Sequence, residues 1–128
     1  MQKRWIMLLC VVVLLLVSAQ AFAEYNKDLV VNAMRANMAN LGDVKKAAGD
    51  KDFFTAADKL MEIAKTFKSL EAVTPLKGTK EDWNKIHGAL IKAAFKGIGA
   101  CGEEDAQKLN AVLDELGALM KQGHGMFR

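Results

Sequence analysis

Proline is almost missing from this sequence: Pro75 is the only one in 128 residues. A collagen-like chain is thereby excluded, and the frequent turn signals of an all-β sandwich are missing too. Cysteine is nearly as scarce, with only Cys10 and Cys101. Charge of a single sign is also lacking. Eighteen basic residues face fifteen acidic ones, and removal of Lys3 and Arg4 with an N-terminal leader would bring the basic count to 16. A balance of +1 leaves no electrostatic footprint for nucleic acid. Hydrophobic residues at 52% and charged residues at 26% exclude disorder and suit one domain with one core.

The leader is read from its three parts. Lys3 and Arg4 form a short basic region, and Trp5 to Val17 is an unbroken apolar run. That run is shorter than the roughly 18 residues of a membrane-spanning helix. Ala21-Phe22-Ala23 then places small residues at the −3 and −1 positions of a cleavage site. Residues 1–23 are expected to be a Sec-type signal cut after Ala23, which directs residues 24–128 to the periplasm. Cys10 leaves with the leader, so no intramolecular disulfide can form. Cys101 is then either a small core residue or the cross-link of a homodimer.

Four segments of the remaining chain carry helical periodicity. Asn26 can cap the first, with Val30, Met34, Asn37, Leu41, Val44 and Ala48 at alternating four- and three-residue spacings. Gly49-Asp50 ends it, and Asp50 or Asp52 can cap the second, whose stripe runs from Phe53 to Leu70 through Leu60, Ile63 and Phe67. Thr74-Pro75-Leu76-Lys77-Gly78 is the longest break, and Thr79 can cap the third helix. That helix carries Trp83, Ile86, Leu90, Ile91, Ala94 and Phe95, and Gly97-Ile98-Gly99 is expected to end it. Glu103, Glu104 and Asp105 are expected in the first turn of the fourth, where the macrodipole favours acids. Leu109, Val112, Leu113, Leu116, Met120 and Phe127 continue its stripe. No strand pattern competes. Four helices with short loops predict an all-α, up-down-up-down antiparallel four-helix bundle.

That topology puts the start of the first helix and the end of the fourth at one end. Met34 and His124 then lie at similar depth on stripes that can face each other. His87 lies near the same end, with a core or a surface role both open.

The last 13 residues, Leu116-Gly-Ala-Leu-Met-Lys-Gln-Gly-His-Gly-Met-Phe-Arg128, add a sharper signal. They resemble the C-terminal signature of the cytochrome c-prime family, Val-Gly-x-x-Cys-Lys-x-Cys-His-x-x-Phe/Tyr-Arg. Gly117, Lys121, His124, Phe127 and Arg128 stand at its fixed positions. Met120 and Gly123 replace the two haem-attaching cysteines, so covalent attachment is excluded. In that respect the chain is more similar to the cytochrome b562 family, which ends in His-x-x-Tyr-Arg and binds haem b without covalent bonds. Asn32-Ala-Met34 falls on that family's methionine ligand, and His87-Gly88 on a His-Gly pair of its third helix.

The resemblance implies a periplasmic electron carrier, not an enzyme, with one non-covalent haem b per chain. It implies His124 and Met34 as iron ligands, with Met38 the rival one turn away. Phe67, Trp83, Met120 and Phe127 would be pocket walls, and the partners would be haem and a periplasmic redox protein, with no membrane insertion of residues 24–128. His/Met ligation leaves iron no open position, which suits electron transfer. Three alternatives stand beside this reading. Without a methionine ligand the iron would be five-coordinate and open to small gases. Met34, Met38, Met120, Met126 and His124 could instead take Cu(I). A bundle without any cofactor would serve as a binding or structural module. Gly97-Ile98-Gly99-Ala100-Cys101-Gly102 follows a helix rather than a strand, so it is no dinucleotide fingerprint.

Overall fold

Helix boundaries in this chain are set by side chains that satisfy free backbone N–H groups. A computed structural model describes residues 25–128. The expected leader, its cleavage after Ala23, and Cys10 lie outside the described residues. Four helices follow in order: α1 (Lys27–Gly49), α2 (Phe53–Leu70), α3 (Lys80–Gly102) and α4 (Ala106–Phe127). Asn26, Asp52, Thr79 and Asp105 cap them, each side chain accepting from the backbone N–H three residues on. No strand occurs among the described residues. No helix among them is long and apolar enough to cross a membrane.

The helices form an antiparallel bundle in which sequential neighbours pack closely. Val44, Ala56, Leu60, Ile63, Leu70, Leu109 and Leu116 are wholly buried in its centre. Close approach extends along α1–α2, α2–α3 and α3–α4, whereas α1 and α4 meet at only a few positions. The bundle is therefore tight on three sides and loosely closed along the α1–α4 seam.

Two expectations need correction. Gly97-Ile98-Gly99 does not end the third helix, which continues through Gly102. The reason is packing: a Cβ at Gly97 would stand 2.8 Å from Leu60 Cδ1 and 3.0 Å from Val112 Cγ1. At Gly97 both α2 and α4 press against α3, and its missing side chain permits that approach. The acids after Cys101 also sit earlier than expected. Glu103 and Glu104 precede α4, Glu104 with a positive φ of 55°, and only Asp105 acts at its start, as the cap.

Cys101 is buried, the first of its two expected alternatives, and burial raises its thiol pKa. A disulfide-linked dimer through it would require the end of α3 to open first. Phe95, expected on the α3 stripe, is half exposed, and the buried positions are Trp83, Ile86, His87, Leu90, Ala93, Ala94, Gly97, Ala100 and Cys101.

Candidate functional site: the α1–α4 seam

The end of the bundle that holds the C-terminus is built by the α2–α3 loop. Gly78, at φ 81°, lies under the ring of Phe127, so close that a Cβ there would stand 2.8 Å from Phe127 Cε1. Lys77 Nζ donates to the Arg128 carbonyl at 3.0 Å. Trp83 stands edge-on to Phe127, with ring centroids 5.1 Å apart. Its Nε1–H donates to the Leu70 carbonyl at 2.7 Å, which closes the end of α2. Phe127 and its neighbours thus clamp the last turn of α4, which carries His124, onto α3.

His87 completes this aromatic end. It is buried, 4.4 Å from the Trp83 ring centroid and 5.6 Å from that of Phe67. Its Nδ1–H donates to the Trp83 carbonyl at 2.7 Å, which leaves Nε2 as the unprotonated nitrogen of the neutral ring. Burial holds its pKa below the ordinary histidine value, with smaller opposing contributions from the Trp83 hydrogen bond and Glu71. Of the residues expected as pocket walls, Phe67 and Trp83 are enclosed while Met120 and Phe127 are half-buried. Three of them, Phe67, Trp83 and Phe127, are linked into one cluster through His87 and direct ring contact.

His124 itself is exposed and Met34 is half-buried against the core. Their directions follow from the contacts of their own helices. Glu115 of α4 pairs with Lys96 of α3 at 3.1 Å, and Val112 and Gly123 of α4 pack against Gly97 and Ile86 of α3. At about 100° per residue, Leu113 and His124 stand on the flank of α4 turned away from α3, toward α1, and Met120 lies at the edge of the covered face between that flank and Phe127. α1 is oriented by its contact with α2. Asp43 pairs with Lys59 of α2 at 3.8 Å, so Met34, Met38 and Val31 stand on the flank turned away from α2, toward α4.

Depth can be placed in the same manner. Lys59–Asp43 and the Leu60–Gly97–Val112 contact form one layer of the bundle. At 1.5 Å per residue, Met34 lies about 13 Å beyond that layer, Met120 about 12 Å and His124 about 18 Å. Met34 and Met120 are therefore level across the seam, with His124 one turn nearer the end. Met38 lies about 10 Å short of His124. It is also 63% exposed, which separates it from Met34.

Asn37, one turn inward from Met34, was legible only as a member of the helical stripe. It is 2% exposed, and neither its Oδ1 nor its Nδ2 has a hydrogen-bond partner. Elsewhere, a groove of about 320 Å³ lies between α3 and α4 at the opposite end. Its charged walls already pair with one another, Lys96 with Glu115 and Lys108 with Glu103. Among the described residues no three His, Cys, Asp or Glu side chains converge as a metal group.

The seam does offer an imidazole and a thioether on facing flanks, the donor set of a six-coordinate haem iron. Its loose closure is compatible with a flat group entering between the two helices. Comparison with family models, curated proteins and solved structures gives no match for this chain.

Proposed function

We propose that this protein is a periplasmic b-type cytochrome that holds one non-covalent haem in the α1–α4 seam, with Met34 and His124 as iron ligands, and carries electrons. The observation that supports it most is the placement of these two side chains. They stand on facing flanks of the one loosely closed side of the bundle, about one helical turn apart in depth.

Haem would supply the one-electron redox chemistry. The chain's own residues bind and orient. Met34 offers a soft thioether from a half-buried position, and His124 offers an imidazole that must be unprotonated to coordinate. Phe127, clamped by Gly78 and Trp83, fixes the turn from which His124 projects. Met120 and Leu113 form the apolar wall on the α4 side of the seam. An apolar group filling the seam would also cover surface that α1 and α4 leave uncovered by each other.

An optical titration of the purified protein with haem tests the reading. A stoichiometric 1:1 complex with a low-spin spectrum in both oxidation states is expected. Failure to form a stoichiometric complex would overturn it.

A further inference from the structure

The same seam contains a second thioether that a His/Met haem site does not use as a ligand. Met120 and His124 are four residues apart on α4 and so are surface neighbours, Met120 at the edge of the covered face and His124 on the flank beside it. Met34 stands opposite, level with Met120. We infer that the haem-free seam is a Cu(I) site, with Met34 Sδ, Met120 Sδ and an imidazole nitrogen of His124 as its three ligands.

The chemistry of the flanks selects the ion. Two thioethers and an imidazole are neutral, soft or intermediate donors, which match a monovalent, low-coordinate cuprous ion. Hard divalent cations need carboxylate or carbonyl oxygen. The residues turned into the seam are Val31, Met34, Met38 and Leu41 from α1 and Leu113, Met120 and His124 from α4, and none is acidic. Met34 and Met120 are both half-buried against the core, so their thioethers sit at its edge instead of in bulk water. His124 is exposed, at the outer edge of the seam. Met38 is excluded by depth and exposure, for the reasons that separate it from Met34. The inference rests on the donor placement used above but not on haem being bound, and copper and haem titrations fail independently.

The test is anaerobic titration of the haem-free protein with Cu(I) in competition with a chromophoric cuprous chelator. Cys101→Ala serves as the background, because a thiol would bind the same ion. One Cu(I) per chain is expected, with X-ray absorption reporting sulfur and nitrogen neighbours. Met120→Leu, which conserves volume, and His124→Ala, at an exposed position, should each weaken retention by roughly tenfold or more. Met61→Leu on α2 should leave it unchanged. Unchanged helical circular dichroism in each variant keeps the comparison one of binding. No copper retained in the Cys101→Ala background, or retention insensitive to both Met120→Leu and His124→Ala, would overturn the assignment.

Discussion

Trp83 meets Phe127 edge-on, with centroids 5.1 Å apart and planes 78° from parallel. This contact joins the start of α3 to the last turn of α4, and Gly78 seals it from below. The aromatic residue and the histidine of the C-terminal His-Gly-Met-Phe-Arg ending therefore have different roles. Phe127 anchors the turn, and His124 projects from it toward the seam.

Loss of the anchor should be measurable. Phe127→Ala is expected to destabilise the protein by about 2 kcal/mol, less than the range for a fully enclosed phenylalanine because the ring is half-buried. Trp83 is the only tryptophan outside residues 1–23, so its emission should shift to the red in the same variant. Chemical denaturation followed by fluorescence reports both effects.

Two glycines that look alike in sequence should behave oppositely. Gly97→Val inserts a side chain against Leu60 and Val112 and should cost about 1–3 kcal/mol. Gly99 has open space around its Cβ position, so Gly99→Ala should stabilise α3 by up to about 1 kcal/mol. Thermal unfolding of the pair checks the assignment.

Asn37 is a buried amide whose side chain finds no partner in the protein. Burying such a group costs about 1–3 kcal/mol. Asn37→Leu, which keeps the branched shape of the side chain without its polar atoms, should therefore raise the urea midpoint of the haem-free protein with an unchanged denaturant slope. A lowered midpoint would mean that the amide is satisfied in solution.

Burial makes His87 harder to protonate in the folded protein than in the unfolded chain. The unfolded state then binds more protons, so stability rises with pH through this range. The contribution is fully present above the unfolded histidine pKa of about 6.5 and is lost progressively as pH falls from there toward the lower folded value. The Trp83 and Phe67 rings could attract an imidazolium, but both are tilted to it, and protonated Nε2 would add a donor inside an aromatic cluster. The urea midpoint of the wild type should fall between neutral and mildly acidic pH, and His87→Leu should remove much of that slope.

Much of the bundle was legible because its signals are local. Asn26, Asp52 and Thr79 act as the caps that their chemistry announces, and the four stripes predict which faces are buried. Gly97-Ile98-Gly99 misled because a glycine that breaks a helix and one that admits a neighbouring helix are the same letter. The distinction depends on Leu60 and Val112, which arrive from other elements. The two histidines show the same limit. Periodicity placed His124 on a stripe, yet 116, 120, 123 and 127 form the covered face and leave it on the flank, while His87 is enclosed by Phe67 from α2. The looseness of the α1–α4 seam is a property of how four helices close, and no single helix encodes it.

Ligation of haem iron by Met34 and His124 is tested by comparing optical spectra of the haem-reconstituted wild type with those of His124→Ala, Met34→Leu and Met38→Leu. A low-spin six-coordinate spectrum is expected in the wild type, preserved by Met38→Leu. Met34→Leu should convert it to a five-coordinate high-spin form, and His124→Ala should weaken haem retention strongly. A wild-type spectrum unchanged by both His124→Ala and Met34→Leu would contradict the proposed ligands, even if haem is bound.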